Sequence, residues 1–130
     1  MAGTIVADTL SDGAGNTTAM DNAIYGSAKA WVNFNGVTTT TIRASYNVSS
    51  VTRNSTGDYT VNMTNALSDA NYAYNVSVGG GGASAGYQLN LNTTSGGADS
   101  PPTTTSFRFA TSAPGVAYYD EKYINVILVR

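Results

Sequence analysis

The chain has 130 residues, only 11% of them charged, and a formal net charge of −2. That is room for one compact domain, with a surface built from Thr, Ser, Asn and Gly. The scattered Lys and Arg offer no footprint for nucleic acid or an anionic membrane, and the lack of Cys and His excludes disulfides, thiolate metal sites, thiol nucleophiles and the usual neutral-pH base.

Residues 1–24 read as an arm. The opening MAGTIVADTLSDG has neither a basic n-region nor a long apolar run, so neither a signal peptide nor a membrane span is expected. One short apolar run, Thr4 to Ala7, is expected as a strand, and Asp12-Gly13-Ala14-Gly15-Asn16 is turn chemistry. The best helical candidate, Ala19 to Ala30, has Gly26 in its middle and no sustained 3.6-residue period, so no helix is expected.

From residue 25 to 130 the pattern is that of one antiparallel domain. In AWVNFNG, Ala30, Val32 and Phe34 share one face while Trp31, Asn33 and Asn35 share the other, so the single tryptophan stands on the polar side. After Asn35-Gly36 comes a strand Thr41 to Val48, with Ile42, Ala44, Tyr46 and Val48 inward. Arg53 to Gly57 reads as a loop, followed by a strand Asp58 to Thr64 with Tyr59, Val61 and Met63 inward and Asp58, Thr60 and Asn62 outward. Tyr72, Tyr74, Val76 and Val78 resume the alternation, and Gly79 to Gly82 ends it. Two further strands, Tyr87 to Leu91 and Ser106 to Phe109, precede the almost continuously apolar Tyr123 to Val129, which is expected to be central or buried by a partner. About eight short strands with regular turns give an all-β fold: an antiparallel β-sandwich or jelly-roll-like barrel carrying an N-terminal arm.

Candidate chemistry is sparse. Asp120 and Glu121 are adjacent and read as solvated loop residues, not as a glycosidase pair. Gly79 to Gly86 lacks the following Lys and helix that a phosphate loop needs. Asp12, Asn16 and Asp21 offer closely spaced oxygens but no calcium-loop spacing. No metal or cofactor is therefore expected. Of the nine tyrosines, Tyr46, Tyr59, Tyr72, Tyr74 and Tyr87 fall on expected core faces. Tyr25, Trp31, Tyr118, Tyr119 and Tyr123 fall on polar faces or in loops, where aromatics serve interfaces or sugar-binding surfaces. With Ile5 and Val6 of the arm they form the expected subunit or partner interface.

The segments GSAKAWVNFNG (26–36), IRASYNVSSV (42–51), TGDYTVN (56–62) and DANY (69–72), with the closing Ile124-Asn125-Val126, resemble a family of short virion proteins of tailed bacteriophages. Modules of that kind stand at tail-fibre ends or alone. The resemblance spans residues 25–78 and the last strand. It implies a non-enzymatic virion structural protein, assembled in the bacterial host cytoplasm as a homotrimer whose further partner is the major capsid protein or another virion protein. A complete fibre needs a long stalk, and some 24 residues precede the expected sandwich. A capsid decoration (cement) protein is therefore the expectation, with a tail-fibre tip or adhesin module binding a bacterial surface receptor or glycan as the alternative.

Overall fold

The computed structural model describes residue 3 and residues 6–80, 88–112 and 118–130. Its first elements form a small arm. Strands β1 (Thr9–Ser11) and β2 (Thr17–Ala19) pair antiparallel, and helix α1 (Met20–Gly26) follows directly. Asp12 builds the intervening turn, its carboxylate accepting from the amides of Ala14 and Asn16, both at 2.9 Å, and from the Asn16 side chain at 2.8 Å. These bonds, the Asn16 side chain first among them, hold the Asp12 pKa below its ordinary value, and they account for the residue without a calcium ion. The strand expected at Thr4 to Ala7 does not include the described residues of that run. Thr4 and Ile5 lie outside the described residues, and Val6 and Ala7 belong to no strand. The helix is also a correction: at 7 residues it makes two turns, too few for a period to register, and Gly26 closes it instead of interrupting it.

The domain proper consists of β3 (Ala28–Asn35), β4 (Thr41–Tyr46), β5 (Val48–Ser55), β6 (Asp58–Met63), β7 (Ala73–Gly79), β8 (Gln88–Leu91), β9 (Ser106–Ser112) and β10 (Tyr123–Val129). They form two four-stranded antiparallel sheets, ordered β4-β3-β10-β7 and β5-β6-β9-β8. The chain is thus the all-β sandwich that its alternation implies. Ala30, Val32, Phe34, Val76, Ile124, Val126 and Leu128 of the first sheet meet Tyr59, Val61, Met63, Phe107 and Phe109 of the second in one core. Its rings are in contact, Phe34 edge-on to Tyr59 with centroids 5.3 Å apart and Phe107 stacked on Phe109 at 5.8 Å. Tyr72 and Tyr59 are buried as expected; Tyr87 lies outside the described residues.

Two local irregularities decide which side chains of β4 face outward. Asn33 pairs with Ala44 and Phe34 with Ile42, leaving Arg43 as the extra residue of a β-bulge. One extra residue reverses the alternation. Ile42 stays half-buried while Ala44 and Tyr46 are exposed, which corrects the inward placing of both. The expected strand Thr41 to Val48 is also two strands, because at Asn47 the backbone takes φ 54° and leaves the first sheet for the second. Asparagine tolerates that left-handed conformation better than most residues. Its side chain fastens the corner to β3 and to the segment after β6: Nδ2 donates to the carbonyls of Lys29 at 3.1 Å and Asn65 at 3.2 Å, and Oδ1 accepts from the Asn65 amide at 2.8 Å.

The segment expected as a loop at Arg53 to Gly57 is mostly strand, with the turn confined to Thr56 and Gly57. Gly57 has φ 67°, and a Cβ there would stand 2.6 Å from the Thr111 carbonyl oxygen and 2.7 Å from main-chain atoms of Tyr119. No side chain fits between those backbones. The last strand, β10, is central as expected, between β3 and β7. Only its inner face, Ile124, Val126 and Leu128, is buried by the chain itself; Tyr123, Asn125 and Ile127 are exposed.

The Asn47 corner can be tested by substitution. Asn47→Gly keeps the backbone conformation and loses the side-chain bonds, at about 1–2 kcal/mol. Asn47→Ala adds left-handed strain, about 1 kcal/mol more. Urea unfolding should rank wild type, Gly, Ala in falling stability; an Ala variant as stable as the Gly variant would remove backbone conformation as the reason for this residue.

Candidate functional site

The outer faces of the two sheets differ in kind. On the second sheet, Ser50, Thr52 and Asn54 of β5 lie beside Thr60 and Asn62 of β6 and Ser106 and Arg108 of β9. Their polar atoms bond one another, Asn62 Nδ2 reaching Ser50 Oγ at 3.0 Å and Thr52 Oγ1 at 3.1 Å. Among the described residues no exposed large apolar side chain stands on that face.

The first sheet carries them instead. Trp31 lies between Tyr46 on β4 and Ile127 on β10, its direct cross-strand partners, and the three are 38%, 58% and 41% exposed. Next to this row runs a polar rung. Arg43 Nη1 donates to Asn33 Oδ1 at 3.4 Å, Asn33 Nδ2 donates to Asn125 Oδ1, and Asn125 Nδ2 donates to Ser77 Oγ at 3.4 Å. The bulge places Arg43 toward Tyr123, with the guanidinium carbon 4.8 Å from the ring centroid and Nη2 donating to the Lys122 carbonyl at 2.7 Å. Between row and rung lies a shallow groove of about 330 Å³ lined by Trp31, Asn33, Asn75, Ser77, Asn125 and Ile127.

The residues expected from sequence as an interface do not all converge. Trp31 and Tyr123 share this face. Tyr25 is 63% exposed on α1 and Val6 is exposed on the arm, while Ile5 lies outside the described residues. Tyr118 and Tyr119 are half-buried and tied by their main chain to the end of β9, Tyr119 N donating to the Thr111 carbonyl at 3.1 Å. Tyr46, Ile127 and the rung were missed. The apolar run Tyr123 to Val129 was the signal for Ile127; the bulge that turns Tyr46 out leaves no mark in composition.

The carboxylates are not solvated, which corrects the reading of Asp120 and Glu121. Asp120 accepts from Arg53 Nη2 at 2.6 Å, from the Gly57 amide at 2.8 Å and from the Tyr59 hydroxyl at 2.7 Å. Glu121 is buried, and its carbonyl accepts from the Gly36 amide at 2.9 Å. Asp58, expected outward, does face outward but is fully covered. It accepts from Arg108 Nε and Nη2, both at 2.8 Å, from the Ser95 amide at 2.8 Å and from Asn54 at 3.0 Å. Burial alone would push the Asp58 carboxyl up, and these bonds with the Arg108 charge outweigh it, holding its pKa at about 2. For Asp120 burial again pushes up, and Arg53, Gly57 and Tyr59 bring the net shift below the ordinary value. Both are therefore charged structural clamps at neutral pH.

Among the described residues no group of acidic side chains is arranged to hold a metal ion, and no helix is long and apolar enough to cross a membrane. No family model, curated protein or solved structure matches the chain.

The clamps make acid stability predictable. Because the folded Asp58 pKa of about 2 lies below the ordinary 3.8, its contribution is complete above about pH 4 and is lost as pH falls toward 2. The depressed Asp120 pKa acts in the same direction. Melting followed by circular dichroism should show a level Tm down to about pH 4 and a fall below it. Asp58→Asn should cost on the order of 2 kcal/mol at pH 7 and flatten that fall; an unaltered acid profile in this variant would remove Asp58 as its cause.

Proposed function

We propose that the chain is a structural protein of a tailed-bacteriophage virion, a trimeric capsid decoration protein that docks on the major capsid shell and stabilises it. Two things support this reading. The first is the resemblance carried by residues 25–78 and the last strand. The second, which carries the docking itself, is the one-sided distribution of exposed apolar side chains: Trp31, Tyr46, Tyr123 and Ile127 on the first sheet's outer face, and none on the second's among the described residues. A face of this composition, with aromatic anchors and uncharged hydrogen-bonding groups between them, is suited to a protein partner. Repeated over many shell sites, a modest area suffices at about 25 cal/mol per Å² of apolar surface removed from water.

Catalysis is disfavoured by the acids at hand. Asp58 and Asp120 are neutralised by Arg108 and Arg53, and neither has the raised pKa of a proton donor for glycoside cleavage.

The second reading, a tail-fibre tip that binds a bacterial surface glycan, is favoured by the groove, where the Trp31 ring borders the neutral groups of Asn33, Asn75, Ser77 and Asn125. Copy number in purified virions separates the two: hundreds of copies for decoration, a few tens or fewer for a fibre. For the docking face, Trp31→Ala should weaken capsid binding at least about thirtyfold, the effect of losing a central tryptophan anchor. Unchanged binding and an unchanged oligomer would refute the role given to this face.

A further inference from the structure

A larger recess lies at the end of the sandwich beside α1. It has a volume of about 780 Å³ and is lined by Ile24, Tyr25, Lys29, Tyr46, Leu67 and Arg130, among others. Tyr46 belongs both to this cleft and to the row containing Trp31, so the two surfaces are continuous.

The arm is the counterpart. Every described residue from Val6 to Ala19 is exposed, Leu10 at 43% and Val6 at 93%, and an isolated two-stranded hairpin is marginal in water. The hairpin and the residue before it hold Asp8 and Asp12 and no Lys or Arg. The cleft presents the opposite sign through Lys29. Lys29 meets neutral oxygens, the Ile24 carbonyl and the Ser27 hydroxyl, while Arg130 is paired with Asp69 at the rim. The hairpin has no slack to enter its own cleft: β2 ends at Ala19 and α1, one wall of the cleft, begins at Met20.

We propose that the β1–β2 hairpin of one copy seats in the α1 cleft of a neighbouring copy, Leu10 and its surroundings covering Ile24, Tyr25, Tyr46 and Leu67, with the arm's aspartates facing Lys29. The occupant is thus a second copy of this chain, and the contact rests on the self-association in the function proposed above while adding where it occurs.

The absence of native cysteine provides a direct test on the full-length chain. Leu10→Cys and Ala66→Cys each place one thiol at an exposed position, one on the hairpin and one on the cleft. Mixing the two variants, one isotopically labelled, and oxidising with copper phenanthroline should give the mixed disulfide. Its yield should exceed that of a Leu10→Cys and Ser49→Cys control pair at least about tenfold, because docking raises the effective concentration from micromolar toward millimolar. Light scattering on the unmodified protein completes the test. An oligomer without the mixed disulfide overturns the arm contact and leaves the trimer standing; a monomer at tens of micromolar overturns both.

Discussion

The left-handed corner at Asn47 is the constraint from which the exposed aromatic face follows. It hands the chain from the first sheet to the second, so that Tyr46 finishes one sheet facing outward and Val48 begins the other facing the core. The bulge at Arg43 sets the phase that turns Tyr46 outward, and the corner reverses it for Val48. Without the bulge Tyr46 would be directed at the core, and Trp31 would lose its aromatic neighbour on β4. The exposed row is therefore an outcome of backbone geometry, with the side chains following.

The two arginine–aspartate clamps act where a secreted domain of this size would often use disulfides. Asp120 joins the approach to β10 with the β5–β6 turn through Arg53, Gly57 and Tyr59. Asp58 fastens β6 to β9 and to the segment at Ser95. Removing the aspartate of such a partly covered pair leaves its arginine unpaired, a penalty on the order of 2 kcal/mol. Since β10 carries Tyr123, Asn125 and Ile127 on its outer side, the Asp120 clamp also fixes where that exposed face begins.

Much of the fold is legible in the sequence because the period of two survives along the core-facing rows of β3, β6, β7 and β10. The alternation of Tyr59, Val61 and Met63 and the central place of β10 follow directly from it. What escapes is local. The Arg43 bulge and the Asn47 corner alter phase without altering composition. The helix α1 is too short to show a period. Arg53 occupies an inward position opposite Tyr59, which makes a strand look like a loop until Asp120, far away in sequence, is seen to meet it. The outward aromatic Trp31 was legible for the same reason as the core; the face around it was not, since it depends on pairing between β3, β4 and β10.

The rung of Asn33, Asn125 and Ser77 has one more consequence. A greasy surface pressed onto Trp31 and Ile127 would also strip water from these amide and hydroxyl groups, and buried polar groups without new partners cost free energy. Chance hydrophobic encounters are thereby penalised, while a surface bringing complementary hydrogen-bonding groups is admitted. In the proposed docking role, the same strip that softens the patch in solution acts as its selectivity filter.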